Sequence, residues 1–221
     1  MSPAAADLVI FDCDGVLIDS EWIACEVEAE VLREDGFDID TDGVRRLLLG
    51  LSVGSAAKVL QREFGRLPNA DVLERIRART AAAFTTRLKA IPGIEQVLDQ
   101  VAPRRCVASS SDPARLQATL TQVGLYPRLA PHIFSATMVA NGKPAPDLFL
   151  YAANRMQAVA QRCVVIEDSV AGVTAARAAG MAVIGFIGGR HCDRAHGDVL
   201  AAAGADRIVA SYAELGGMVA A

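Results

Sequence analysis

Residues 8–21 read LVIFDCDGVLIDSE: an unbroken apolar run, Leu8–Phe11, runs into two aspartates, Asp12 and Asp14, with Cys13 between them. Four apolar residues in a row are too few for a buried helix and suit a strand covered on both faces, as in a parallel sheet. Two carboxylates at the end of such a strand repel each other. At about 4 Å and an effective dielectric of about 20, the cost is on the order of 4 kcal/mol. The pair therefore needs a compensating cation, a proton or a reaction. Cys13 itself reads as a small buried apolar residue.

Similar runs recur at CVAS (106–109), CVVI (163–166) and AVIGFI (182–187), with RIVAS (207–211) a weaker candidate. Helical spacing lies between them: Ile94, Val97, Leu98 and Val101; Leu116, Leu120 and Val123; Leu148, Ala152 and Met156; Val173, Ala176 and Ala179. This alternation predicts a doubly wound, Rossmann-like α/β core with a parallel sheet. Residues 17–90 break the rhythm. Ile23, Val27 and Val31 repeat at helical spacing, as do Leu73, Ile76, Thr80, Phe84 and Leu88, with no β-branched run between them. The expected organisation is a core of residues 1–16 and 91–221 and an inserted all-helical domain of residues 17–90. Pro92 and Gly93 mark the return to the α/β pattern.

A chain of 221 residues with 52% hydrophobic content fills a core of this kind. The net charge of −4, without a Lys/Arg block, argues against nucleic-acid binding through phosphate neutralisation. No signal-peptide layout precedes the first apolar run, and the longest apolar stretch, MAVIGFIGG (181–189), is too short to cross a bilayer. Cys13, Cys25, Cys106, Cys163 and Cys192 form an odd set without CxxC spacing, which suits a reducing compartment. The expectation is a cytoplasmic protein with no membrane partner.

In an open parallel sheet, the loops leaving the C-terminal strand ends share one crevice. Four such loops here carry reactive types: Asp12 and Asp14; Ser109; Lys143 in NGKPAPDLF; and Glu167 with Asp168. Several carboxylates with one ammonium make sense around a hard divalent cation, and oxygen-only ligands favour magnesium over zinc. Magnesium and a lysine can together neutralise a phosphate dianion, so a phosphate ester is the expected substrate. Asp112 is a plausible N-cap with Pro113 at the first helical position, and the free amides there suit an anion. Each signal has an ordinary alternative. DCDG could belong to a calcium loop, but Val16 stands where that loop needs its third acid. Ser109 could simply end a strand, Lys143 could be a solvated loop cation, and EDS (167–169) could begin a helix capped by Asp168 or Ser169. Their joint occurrence in this order favours a catalytic site.

FDCDGVLIDSE (11–21), VASSS (107–111), the lysine of GKPAPDLF (142–149) and VIEDSVAGVTAARAAGM (165–181) resemble the four motifs of the haloacid dehalogenase-like hydrolases. The resemblance covers nearly all of the chain. It points to the subgroup with a helical cap, similar to beta-phosphoglucomutase and small sugar-phosphate phosphatases. It implies that Asp12 is the nucleophile, forming an aspartyl-phosphate, and that Asp14 is general acid and then base. Ser109, Ser110 and Lys143 would hold the phosphoryl group. Magnesium would be held by Asp12, the backbone carbonyl of Asp14, Glu167 and Asp168. Residues 17–90 would be a mobile cap that excludes water and selects the substrate, with Glu21, Ser52, Lys58, Arg87 and Lys89 as candidates.

The implied activity is magnesium-dependent hydrolysis of a small sugar, sugar-acid or polyol phosphate; the sequence leaves the oligomeric state open, with a monomer favoured. Phosphoglucomutase-type transfer is the alternative. Relatives that carry it out place a His in the helix after the first motif and an Arg after a GxS segment, where this chain has Ala24 and Val53. A receiver-type phosphoacceptor module is disfavoured by length and motif order. A silent metabolite-binding protein has nothing to motivate it, since every motif residue is present. True haloacid dehalogenases attack carbon and do not need an acid at Asp14.

Overall fold

The computed structural model describes residues 6–100 and 104–219; Val101 and the first five residues, on which part of the sequence reading rests, lie outside them. The chain divides into two compact units, Met1–Asp19 with Lys89–Ala221, and Ser20–Leu88. Residues 17–19 and 89–91 pair with each other within the first unit, where Ile91 N donates to Leu17 O at 2.9 Å and Asp19 N to Lys89 O at 3.0 Å.

The first unit holds a six-stranded parallel sheet: β1 (Leu8–Phe11), β2 (Arg105–Ser109), β3 (Ile133–Ser135), β4 (Cys163–Glu167), β5 (Ala182–Phe186) and β6 (Arg207–Val209). Their spatial order is β3-β2-β1-β4-β5-β6. β1 therefore sits between β2 and β4, where the winding reverses, and such a reversal opens a crevice beyond the C-terminal strand ends. The apolar runs form strands because both faces are covered. Leu8, Ile10, Cys106, Ala108, Cys163, Val165 and Val183 point into one core cluster with Leu148, Phe149, Val173 and Leu200 from the neighbouring helices. The alternate residues Val9, Phe11, Val107, Val164, Ile166 and Ile184 are equally buried and face the other side. On that second face Tyr212 stacks on Phe186 at 4.6 Å between ring centroids, and its hydroxyl donates to Val16 O at 2.7 Å.

β3 is the strand that the sequence pattern did not expose. IFS is only three residues long and forms the edge of the sheet, so a long apolar run is not needed there. Helices α5 (Ile94–Gln100), α6 (Pro113–Gln122), α7 (Tyr126–Leu129), α8 (Asp147–Arg155), α9 (Val170–Ala178) and α10 (Arg194–Ala202) lie in the connections between strands, and α11 (Tyr212–Val219) follows the last one. The helix starts follow from capping: Asp112 accepts the amide of Arg115 at 3.0 Å, with Pro113 in the first turn, and Ser169 accepts that of Gly172 at 3.0 Å.

The second unit consists of the helices α1 (Ser20–Glu34), α2 (Thr41–Leu47), α3 (Val53–Phe64) and α4 (Val72–Arg87) and their connections. Ile23, Val27 and Val31 are buried on α1, as expected for one apolar stripe. On α4 the buried positions are Val72 and Phe84, a thinner stripe than the sequence suggested. α2 and α3 were not separable by periodicity. They are set by Asp40 and Ser52, whose side chains accept the amides of Gly43 and Ser55, and α3 stops at Gly65 in the left-handed conformation. Phe37 meets Phe64 edge-on at 5.5 Å, with Arg66 over the Phe37 ring, and buried Asp35 accepts from Arg66 and Asn69. No helix among the described residues is long and apolar enough to cross a membrane.

Candidate active site

The register of β1 with β4 pairs Phe11 with Ile166, and Asp12 N donates to Ile166 O at 3.0 Å. Asp12 therefore lies beside Glu167 at adjacent C-terminal strand ends. Lys143 reaches the same point from the loop between β3 and α8, with Nζ 2.6 Å from both Asp12 Oδ1 and Glu167 Oε1. Its side chain is only 4% exposed, so this is a buried, bridging ammonium. The other Glu167 oxygen accepts from Ser169 N at 2.8 Å and Ser169 Oγ at 2.9 Å. Asp168 completes the group: one carboxylate oxygen each from Asp12, Glu167 and Asp168 lies within 4.8 Å of the others, and all three residues are buried.

Two glycines make room for these acids. A Cβ on Gly172 would overlap both Glu167 carboxylate oxygens. Gly15, at φ +79°, has a conformation that L side chains rarely adopt, and a Cβ there would overlap Asp168 Oδ2.

The electrostatics match a site short of positive charge. Burial pushes the carboxyls of Asp12 and Asp168 well above the usual carboxylate range. Lys143 pulls each of them down, while Glu167 pushes each further up, as Asp168 does for Asp12. For Lys143, burial opposes the charge, but the adjacent Asp12 and Glu167 carboxylates outweigh it and hold the ammonium above its ordinary value. One lysine among three acids leaves room for a cation, and the donors are oxygens alone. That chemistry fits a hard divalent ion such as magnesium.

Asp14 has different partners. Its Oδ2 accepts from Ser111 Oγ at 2.7 Å, and its Oδ1 pairs with Arg115 at 2.9 Å. Ser109 is buried at the end of β2, with Oγ accepting the Ser111 amide at 3.1 Å. Ser110 is exposed on the same loop. Ser111 and Arg115 were not singled out from sequence, although their place at the start of α6 and at the end of a sheet strand was a usable signal. Burial pushes the Cys13 thiol well up, so it remains a neutral core group between the two aspartates. In the helical unit, Ser52 is occupied as the α3 cap, Arg87 pairs with Glu26, Lys58 is exposed and Glu21 is half-buried; Lys89, also exposed, belongs to the first unit.

The family model for haloacid dehalogenase-like hydrolases matches residues 6–180. The chain is 28% identical over 186 residues to 6-phosphogluconate phosphatase of Escherichia coli K12, covering 84% of each. A conserved haloacid dehalogenase-like protein from Agrobacterium tumefaciens strain C58 superposes with a TM-score of 0.92 at 38% identity, covering 97% of this chain and 98% of that one. A family hydrolase from Deinococcus radiodurans R1, solved with bound phosphate and sodium, superposes with a TM-score of 0.85 at 35% identity, covering 96% and 94%.

Proposed function

This chain belongs to the haloacid dehalogenase-like hydrolases and is a phosphoric monoester hydrolase, and from that premise we propose that it hydrolyses a small sugar, sugar-acid or polyol phosphate through an aspartyl-phosphate on Asp12. The observation that carries the reading is the convergence of Asp12, Glu167 and Asp168 at neighbouring strand ends, with Lys143 bridging the first two. Similarity to a sugar-acid phosphatase, and to a hydrolase solved with phosphate, supports the substrate class.

In this reading Asp12, Glu167 and Asp168, with the backbone carbonyl of Asp14, would hold magnesium, which would supply charge neutralisation for the acids and for the incoming phosphate dianion. Asp12 attacks phosphorus as the nucleophile, with Lys143 fixing Oδ1 and drawing a phosphate oxygen toward the same point. Ser109 and Ser110 offer hydroxyls, and the start of α6 offers amides, to the remaining phosphoryl oxygens. Asp14 delivers a proton to the leaving ester oxygen. It then takes one from the water that opens the aspartyl-phosphate, and Ser111 and Arg115 keep it aimed. Substrate selection is assigned to the helical unit, which carries none of these groups. Five free cysteines support a cytoplasmic location.

Water, rather than a sugar hydroxyl, is the acceptor, because Ala24 and Val53 stand where mutase-like relatives carry His and Arg. The test is phosphate release from a panel of sugar, sugar-acid and polyol phosphates with magnesium. A tracking assay with beta-glucose 1-phosphate and a trace of the 1,6-bisphosphate runs beside it. Release should stop with a chelator and return with magnesium. Full metal-free activity would remove Glu167 and Asp168 from their roles, and isomerisation faster than release would make the protein a mutase.

A further inference from the structure

The loop after β5 brings a second, chemically different donor set against Asp168. His191 Nε2 lies 2.8 Å from Asp168 Oδ2 and 3.1 Å from Cys192 Sγ. One donor atom from each of Asp168, His191 and Cys192 lies within 4.8 Å of the others. Asp168 and His191 are buried and Cys192 is half-buried, whereas Cys13, Cys25, Cys106 and Cys163 are all buried. The neighbourhood is closely built. A Cβ on either Gly15 or Gly189 would come within 2.7 Å of the His191 ring, and Arg190 beside it is tied to Asp19 through its guanidinium and its amide. His196, in the first turn of α10, meets the Asp168 carbonyl oxygen through Nε2 at 2.5 Å, so backbone and side chain of Asp168 each meet an imidazole.

A thiol, an imidazole and a carboxylate suit a borderline-soft transition ion, whereas Asp12, Glu167 and Asp168 suit a hard one. We propose that Asp168, His191 and Cys192 form a second cation site, selective for zinc-like ions, that shares Asp168 with the magnesium set. Tetrahedral zinc with bonds of about 2.0–2.3 Å needs donors about 3.3–3.6 Å apart, so the two spacings from His191 Nε2, 2.8 and 3.1 Å, open by about 0.5 Å on binding, and the third donor pair already lies within 4.8 Å. Water takes the fourth position, and the Cys192 thiol releases its proton to solvent. Two dications drawing on one carboxylate repel, so zinc at this site weakens magnesium binding and magnesium weakens zinc binding by the same factor. That coupling rests on the proposed magnesium role of Asp168; the binding itself does not.

Cobalt titration of the metal-free full chain tests the binding. A thiolate-to-cobalt charge-transfer absorption should saturate at one ion per chain, vanish when zinc is added, and be missing in Cys192→Ser. Competition with a chromophoric chelator should show zinc affinity lower by at least about 10-fold in Cys192→Ser and in His191→Gln. Phosphate release, normalised to each protein's own zinc-free rate, should be inhibited by zinc, relieved by magnesium, and less zinc-sensitive in Cys192→Ser by the same factor. A wild-type cobalt complex without thiolate absorption overturns the proposal whatever the variants do. Zinc inhibition unchanged in Cys192→Ser also overturns it, by placing the ion on the oxygen-only set. If the protein shows the thiolate absorption but no phosphatase activity, the new site stands and the functional reading falls.

Discussion

Replacing Lys143 by methionine keeps an apolar stem of similar length and deletes the ammonium that lies 2.6 Å from both Asp12 and Glu167. At 2.6 Å and an effective dielectric of about 20, each contact has a Coulomb energy of about 6 kcal/mol, which the burial of the ammonium itself largely offsets. What the variant retains is two buried acids without their partner, and breaking such a pair from one side costs about 3–5 kcal/mol. In a chain of this size that lowers Tm by roughly 6–20 °C at neutral pH in the presence of a chelator. The pH dependence has a definite sign. The Asp12 carboxyl already lies above its ordinary value because of burial, and Lys143 pulls it down, so losing Lys143 raises it further. Between the ordinary carboxylate value and the raised one, the folded state binds more protons than the unfolded state, and stability falls as pH rises. The variant has the wider window. Its deficit is therefore largest at neutral pH and closes as pH falls toward the ordinary carboxylate range. Urea denaturation at several pH values between about 5 and 8, followed by circular dichroism, measures this directly. A deficit below about 1 kcal/mol, or one independent of pH, would refute the view that the ammonium holds these acids together.

Gly172→Ala places a Cβ on the Glu167 carboxylate, which must leave Lys143 and Ser169; magnesium affinity should fall about 10–100-fold by calorimetric titration, and unchanged affinity would remove Glu167 from the cation site. Asp12→Asn keeps the side-chain shape and loses the charge of the proposed nucleophile. Phosphate release should drop by on the order of 10⁴-fold with an unchanged circular dichroism spectrum, and substantial turnover would end the covalent mechanism.

Much of the sheet was legible from sequence because its central strands are buried on both faces. LVIF, CVAS, CVVI and AVIGFI are continuous apolar runs for that reason, and β1, β2, β4 and β5 fall on them within one residue at either end. The edge strand β3 carries no such demand and left no comparable signature. The cap at Asp112 was legible because capping is a local hydrogen bond between neighbours, and for α9 the same logic left Asp168 or Ser169, of which Ser169 is the cap. In the helical unit, periodicity exposed α1, whose stripe is fully buried, and left α2 and α3 undivided.

By itself the sequence determined the reactive inventory and its order: an acidic pair after the first strand, a serine after the next, a loop lysine, then Glu167 and Asp168. Strand-end chemistry is written in the one or two residues that follow an apolar run, so it can be read locally. Tertiary structure alone decided which of these groups touch. Parallel register set Asp12 beside Glu167, although 155 residues separate them. Asp14 found Ser111 and Arg115, 97 and 101 residues away, and Asp168 found His191 because the β5 loop returns next to β4. Side-chain contacts within about 3 Å depend on strand order and register, which are properties of the whole packed sheet, whereas the apolar runs that built it needed only to be buried.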